Sequence, residues 1–232
     1  MKRWYKRAAA VPAGGGFVIM LDGKPLNTPM RTPVVVPTEV LARAIAGEWD
    51  AQGATIAPAE MRLTRLAATA LDRIKPDPGP AIAEIAGYAA TDLLCHRAEG
   101  PDDLRRRQDQ TWQPILDWAA QRYGAKLAPV AGVMPVAQPH AALDALKKAV
   151  AGCDAMRLAG LHAVTVSSGS LLLGLALAEA HIGIERAWAA ADLDEAWQRA
   201  TWGDDKLAAR RRAGVEADLR AAARFLDLLR GA

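Results

Sequence analysis

Cysteine and histidine are scarce in this sequence, which limits the metal and redox chemistry that it can carry. The 232 residues include two cysteines, Cys95 and Cys153, and four histidines. The cysteines form no C-x-x-C pair and no two histidines are spaced at i and i+4, so neither a disulfide framework nor a zinc site is expected. A buried thiol at Cys95 beside a partly exposed imidazole at His96 is the expected arrangement. We therefore expect no metal, no cofactor and a reducing compartment.

The sequence also lacks a dominant charge of one sign. Its formal net charge is +3 at pH 7, and basic and acidic residues are interspersed along the chain. A basic run near the C-terminus is interrupted by acidic residues, and Glu216 precedes Arg220 in the favourable i,i+4 order. The run comprises Lys206, Arg210, Arg211, Arg212, Arg220 and Arg224. Without interleaved aromatic residues for base stacking, a solvated helix face is favoured over a nucleic-acid-binding helical protein, which stays as an alternative.

Charged residues are absent from residues 158–178, a stretch long enough to span a bilayer. His162, Thr165 and three serines are a heavy polar load for lipid, whereas Gly169 and Gly174 would let helices approach closely. We predict one buried central helix here, with a membrane span as the alternative. The serines lack the G-x-S-x-G frame of an acyl-transfer nucleophile, so a small hydrolase is only an alternative function.

Phosphate-binding glycine spacings are missing as well. Three glycines at 14–16 precede the strand-like run 17–21, which ends at Asp22 and Gly23. A phosphate loop follows its strand and opens a helix, whereas turn dipeptides of this kind join antiparallel strands. The sequence therefore predicts a structural hairpin, and no tight binding or hydrolysis of nucleotide.

The order of the hydrophobic patterns predicts an α+β fold. Extended segments lie near the N-terminus, at 3–8, 17–21, around Leu26 and at 34–36. Helical periodicity predicts helices at 38–51, 58–74, 81–94, 102–123, 141–150, 158–178, 184–199 and 204–229. Pro114 is expected to break or kink one of them near Trp112.

The helix-hostile stretch 75–80, KPDPGP, is the expected domain boundary. The prediction is a small antiparallel β-rich N-terminal domain with two helices over residues 1–77, followed by a larger all-helical C-terminal domain over 78–232.

Tryptophan is concentrated beside an acidic cluster, with Trp188, Trp197 and Trp202 near three carboxylates at 192–195. Indole rings bury large areas and charges set register, so this composition is typical of a protein-binding surface. The alternative is that Trp197 belongs to the core and Glu195 pairs with Arg199 in a surface bridge worth about 0.3–0.5 kcal/mol.

Seven stretches in order resemble one family, the assembly chaperones that bind the alpha subunit of the F-one sector, the water-soluble catalytic head of ATP synthase. They span nearly the whole chain, so the resemblance is more specific than any single motif. The stretches are VIMLDGKPLNTP (18–29), EWDAQG (48–53), MRLTRLAATALDR (61–73), TDLLCHRAEGPDDLRRRQ (91–108), WQPILDWAAQRYG (112–124), GVMPV (132–136) and DLDEAWQRATWGDD (192–205).

The resemblance implies a molecular chaperone without enzymatic activity that shields the beta-subunit interface of unassembled alpha subunit and promotes F-one assembly. It implies that an acidic residue within 192–197 contacts the partner. Glu195 is the best match, although Ala196 stands where many relatives carry a third acidic residue. The candidate partner-binding residues are Asp192, Asp194, Glu195, Trp197 and Trp202.

A monomeric bacterial cytoplasmic protein is expected, with no nucleic acid and no membrane insertion. The basic N-terminus lacks both a secretion signal and the targeting extension of the mitochondrial members in eukaryotes.

Overall fold

The computed structural model describes residues 1–132, 136–203 and 205–231, so the predictions that involve 133–135, Asp204 and Ala232 lie partly outside the described residues. Short strands near the N-terminus precede a larger helical part, which confirms the α+β prediction. The strands are β1 (Ala8–Ala13), β2 (Gly16–Leu21), β3 (Lys24–Pro25), β4 (Val35–Val36), β5 (His96–Arg97) and β6 (Val130–Ala131). The α-helices are α1 (Glu39–Asp50), α2 (Arg62–Thr69), α3 (Gly79–Gly87), α4 (Asp102–Tyr123), α5 (His140–Ala151), α6 (Ala155–Ser168), α7 (Leu171–Ala178), α8 (Ile184–Ala191), α9 (Leu193–Trp202) and α10 (Lys206–Leu229).

Internal contacts divide the chain into two compact units. The first comprises Met1–Gly79, Asp154–Gly160 and Ala221–Ala232, and the second comprises Pro80–Cys153 and Leu161–Arg220. Helices α6 and α10 therefore contribute residues to both units. The predicted domain boundary at 75–80 stays a prediction.

The first unit is built on an antiparallel sheet in which β2 pairs with β1, β3 and β4. Helix α1 packs on β1 and β2, and its start is capped by Thr38, whose hydroxyl accepts a hydrogen bond from the Leu41 backbone N–H at 3.3 Å. The unit has its own apolar core, because alternate residues of β2 and one face of α1 are buried. Those residues are Ile19, Leu21, Leu41, Ala42, Ile45 and Ala46.

The glycine run is a hairpin turn, as predicted. Ala13 pairs with Gly16, so Gly14 and Gly15 form a two-residue loop between β1 and β2. Gly16 has φ +151°, and a Cβ there would lie 2.3 Å from the Val36 carbonyl oxygen. The third glycine is therefore required by the close approach of β4, and the run serves the fold.

The second unit is helical, and α4 contacts α5, α7, α8 and α9. Trp112 of α4 is fully buried, and its indole N–H donates to the Ala190 carbonyl at 2.9 Å. A short parallel pair of strands, β5 and β6, belongs to the same unit. The long helix predicted at 102–123 is present and continues through Pro114. Of the predicted break or kink at Pro114, the break is wrong, because buried Trp112, Ile115 and Leu116 hold both sides of the proline in the core, and the kink stays a prediction.

The single helix predicted at 158–178 is also wrong, because it is divided into α6 and α7. Gly169 adopts φ +69°, and the Ser170 hydroxyl accepts from the Leu173 N–H at 3.1 Å, which caps α7. Every residue of α7 is buried. Among the described residues, no helix is both long and apolar enough to cross a membrane. Ser168 donates to the Val164 carbonyl at 2.7 Å in the last turn of α6. Ser168 and Ser170 therefore hydrogen-bond backbone groups at the end of one helix and the start of the next.

Two other boundaries differ from prediction. The first strand was expected at 3–8 but β1 starts at Ala8, because the backbone N–H groups of Lys6 and Arg7 donate to the Asp22 carboxylate at 2.8 and 2.9 Å. The helix expected at 81–94 ends at Gly87, and short 3-10 turns follow. The buried Asp92 carboxylate accepts from the Leu94 N–H at 3.0 Å, which stabilises a turn in place of a continued helix.

Candidate partner-binding site

Helix α9 lies within the acidic, tryptophan-bearing segment, and none of its ten residues is fully buried. A helix in a globular protein normally buries one apolar stripe. The one helix expected at 184–199 is in fact two, because the chain leaves helical geometry at Asp192, with φ −94° and ψ 5°. This break sets the direction of α9 and so decides where each candidate residue lies.

Asp192 is a buried junction between α8 and α9, with 5% of its surface exposed. Its carboxylate accepts two hydrogen bonds of 2.7 Å from Arg212 and one of 2.8 Å from Arg199. Burial opposes ionisation, but the hydrogen bonds from Arg212 and Arg199 outweigh it, so the pKa of Asp192 lies below its ordinary value. The Arg212 guanidinium also lies over the Trp188 ring, 5.3 Å from its centre.

Asp194 and Trp197 both face α4. The Gln108 side-chain amide donates to Asp194 at 2.8 Å, and the Trp197 indole N–H donates to Asp103 at 2.9 Å. Burial raises the pKa of Asp194 above its ordinary value, and the bond from Gln108 opposes this only in part. These two candidates therefore hold α9 on its neighbour.

Glu195 has a different environment. Its side chain is exposed and makes no hydrogen bond or ion pair with any residue that the structure describes. The alternative pairing with Arg199 is not formed, because Arg199 binds Asp192. The Glu195 carboxylate is thus available to an external group.

Glu195 and Trp202 line a groove between α9 and α10, here named the α9–α10 groove, with a volume of about 430 Å³. Trp202 is 72% exposed, and its ring meets that of Trp197 edge-on at 5.5 Å. The residues from both helices recur at i, i+3, i+4 and i+7, the spacing of one helical face. They are Glu195, Gln198, Arg199 and Trp202 from α9 and Ala208, Arg211, Arg212 and Val215 from α10.

The opposite side of α9 lines a second groove of about 460 Å³, here named the α4–α9 groove. It shares Trp188, Asp192 and Arg212 with the first groove. The other lining residues are Arg107, Gln110 and Thr111 from α4, Ala189 from α8, and Leu193, Ala196 and Trp197 from α9. Helix α9 is therefore a ridge between two grooves. The sequence did not lead us to Arg107 or to the α10 residues as contact residues, although the lining residues of α4 and of α10 each recur at i, i+3 and i+4 in the sequence.

In the part of the chain that the structure describes, the other chemistry-bearing residues do not gather into a site. Cys95 is buried beside a half-buried His96, as predicted, and desolvation raises the pKa of its thiol to about 12, which suppresses the nucleophilic thiolate. Across the described ranges, no group of three histidine, cysteine or acidic residues could hold a metal ion. The predicted Glu216–Arg220 pair is formed, at 2.9 Å.

Comparison with known proteins gives one family. The model of the ATP12 chaperone protein family matches residues 2–120. The crystal structure of Atp12 from Paracoccus denitrificans is 38% identical, with 98% of each chain covered and a TM-score of 0.92. A solved protein of Agrobacterium tumefaciens is 42% identical, with 97% of this chain and 85% of that chain covered and a TM-score of 0.92. The mitochondrial protein atp12 of Schizosaccharomyces pombe is 23% identical over 214 residues, which are 87% of this chain and 74% of the relative.

Proposed function

The chain belongs to the ATP12 chaperone family, whose members assist ATP synthase assembly, and on that premise we propose that it binds the unassembled alpha subunit of the catalytic head. In this proposal the chaperone covers the alpha-subunit surface that the beta subunit later occupies. It acts by binding alone, without catalysis, and leaves when the F-one sector assembles. The bacterial cytoplasm is the proposed location, because the relatives of known structure are from bacteria.

The observation that carries this proposal is the exposure of one face of α9. Glu195 has no partner in the described part of the chain, and the large Trp202 side chain, about two helical turns further along the same groove, is mostly in water. An exposed indole and an unpaired carboxylate in one groove offer a large apolar area together with one charge that fixes register. A basic or amide-bearing patch on the alpha subunit would complement Glu195.

Glu195→Lys tests the proposal. The variant should keep the melting temperature of the wild type, because the Glu195 side chain is exposed and bonds to no described residue. Loss of a buried charge pair in the complex should weaken binding by about 30-fold or more. The measurements are the dissociation constant for unassembled alpha subunit and the suppression of its light scattering on dilution from denaturant. Asp144→Lys is the matched control, since Asp144 is an exposed carboxylate on α5.

Normal melting with undiminished protection would remove Glu195 from the interface. If the wild type itself neither binds the alpha subunit nor slows its aggregation, the proposed client is wrong.

A further inference from the structure

The α4–α9 groove has the features of a second contact surface on the far side of α9. Its walls repeat one spacing, because Arg107, Gln110 and Thr111 of α4 stand at i, i+3 and i+4, as do the lining residues of α9. Those α9 residues are Leu193, Ala196 and Trp197, and all three are half-buried. The half-buried Trp188 also lines the groove, so its lining combines apolar side chains with polar and charged ones.

Arg107 supplies an exposed charge that makes no hydrogen bond or ion pair with a described residue. Asp103 lies one helical turn before it; the Trp197 indole N–H, which donates to Asp103 at 2.9 Å, lowers the pKa of that carboxyl, and the attraction of Arg107 adds to the lowering. The other guanidinium that lines the groove, that of Arg212, is bound to Asp192. The groove therefore offers half-buried apolar side chains together with an exposed guanidinium that no described residue binds.

The two grooves differ in the charged side chains that line them. At about 100° per residue, the α9 residues of one groove are centred about 165° from those of the other. The α9–α10 groove carries the exposed Glu195 and the exposed Arg211, whereas the lining of the α4–α9 groove has two arginines, Arg107 and Arg212, against one carboxylate, Asp192. The excess of basic side chains in the α4–α9 groove favours an acidic client residue there.

We propose that the α4–α9 groove binds a second segment of the same client polypeptide, one that carries an acidic residue beside a large apolar residue. The client carboxylate pairs with Arg107, and the apolar side chain packs against Trp188 and Leu193. This inference rests on the proposed function, since the client is the alpha subunit. The chaperone then contacts the client on both sides of α9, through Glu195 in one groove and Arg107 in the other.

Arg107→Glu tests the second contact, and Arg106→Glu is its matched control. Arg106 is the exposed neighbour of Arg107 on the same helix, and it does not line the groove. We expect Arg107→Glu to weaken binding of unassembled alpha subunit by about tenfold or more, and Arg106→Glu to change it by less than about twofold. Arg107→Gln, which removes the charge without reversing it, should give an intermediate loss. Melting temperatures of all variants should equal that of the wild type.

The outcomes separate this inference from the proposed function. The second contact alone would be overturned by one pattern of results: the wild type binds the alpha subunit, Glu195→Lys weakens this binding, and neither Arg107→Glu nor Arg107→Gln changes it. Equal losses in Arg106→Glu and Arg107→Glu would also overturn it, because they would indicate a diffuse charge effect. Wild-type binding of single-stranded RNA that is lost in Arg107→Glu would instead assign the groove to nucleic acid. No binding of the alpha subunit by the wild type would overturn both proposals.

Discussion

Arg212 of α10 makes a bidentate contact with Asp192: Nε donates to Oδ1 at 2.7 Å, and Nη2 donates to Oδ2 at 2.7 Å. Asp192 is the residue at which α8 ends and α9 begins, so this pair fixes the start of α9 against α10. Both grooves are lined by Asp192 and Arg212. The pair therefore positions α9, and we expect Asp192 to influence a partner through the placement of Glu195 on that helix.

Asp192→Asn should lower the free energy of unfolding by about 3 kcal/mol, because it leaves two guanidinium groups beside a neutral amide. The partial exposure of both arginines places the expected value at the low end of the range for buried pairs. Urea unfolding at pH 7 measures the difference, with Asp144→Asn as the control for the loss of an exposed carboxylate. Equal stability of Asp192→Asn and wild type would contradict a structural role for the pair.

The same pair predicts a pH dependence. The folded-state pKa of Asp192 is depressed, so its contribution is present above the ordinary pKa of about 4 and is lost as the pH falls through the folded value. The stability difference between wild type and Asp192→Asn should shrink as the pH falls below about 4. Urea unfolding between pH 3 and pH 7 tests this, and a difference that stays constant would show that the ion pair is not its source.

Asp92 should give the opposite pH dependence of stability from that of Asp192. Burial raises its pKa to about 6, although hydrogen bonds from Ser170 and the Leu172 N–H favour the carboxylate. Because the folded pKa exceeds the unfolded one, the contribution of this group is full below about pH 4 and declines as the pH rises through about 6.

Wild type should therefore lose about 2 kcal/mol of stability from this group between pH 4.5 and pH 7, and Asp92→Asn should not. The measurement is the free energy of unfolding of both proteins at several pH values. The change with pH in the variant is subtracted from the change with pH in the wild type. Asp92→Asn should be less stable at pH 4.5, since an amide N–H then faces a backbone donor. Parallel pH profiles would show that Asp92 does not titrate in this range.

The hairpin turn at Gly14–Gly16 can be tested by comparing alanine substitutions at its first and third glycines. Gly16→Ala should lower stability by about 3 kcal/mol, because the residue has a strained φ for an L-amino acid and its Cβ would meet the Val36 carbonyl. Gly14→Ala should change stability by less than about 1 kcal/mol, since nothing lies within 4 Å of its Cβ. Thermal and urea unfolding of both variants measure this. A larger loss in Gly14→Ala would contradict the described hairpin.

The fold class was predictable from sequence because its signals are local. The turn glycines, the Thr38 cap and the periodicity of the 102–123 helix each specify an element with short-range chemistry. The break at Gly169 has a local signal, a glycine with φ +69° followed by the Ser170 cap of α7, but the apolar pattern of 158–178 favoured one helix. The break at Asp192 was not predictable, because side chains distant in sequence stabilise it. Ser170 bonds to Asp92, and Asp192 bonds to Arg212. The periodicity of one segment carries no information about such distant partners. It therefore predicted one helix at 158–178 and one at 184–199, where the fold has two in each case.

The candidate site was predictable only as a segment. Sequence placed three carboxylates and two indoles together, but it could not assign them different environments. The fold directs Asp192 to two arginines and Asp194 to Gln108, and it leaves Glu195 in solvent. These differences come from residues 86 positions away in one case and 20 in another. Burial of each carboxylate is a tertiary property.

Trp202 and Trp4 form a matched pair for testing the α9–α10 groove. Trp202 is 72% exposed and meets Trp197 edge-on at 5.5 Å, and Trp4 is 54% exposed and meets Tyr5 edge-on at 5.5 Å. Trp202 lines the α9–α10 groove, whereas Trp4 lines neither groove. Replacing either by alanine removes an exposed indole and one aromatic contact, which is worth about 0.5–1.5 kcal/mol.

Both variants should therefore fold with similar, small losses of stability, and they should differ in binding. Trp202→Ala should weaken binding of unassembled alpha subunit by about 30-fold or more, because a tryptophan buried at the centre of an interface contributes about 2 kcal/mol or more. Trp4→Ala should bind as the wild type does. Titration calorimetry or fluorescence anisotropy with labelled alpha subunit measures the constants, and circular dichroism melts check the fold. If both variants bind normally, Trp202 remains in water in the complex and the client lies elsewhere. If both lose binding equally, the effect reflects the loss of any exposed indole, and the α9–α10 groove has no special role.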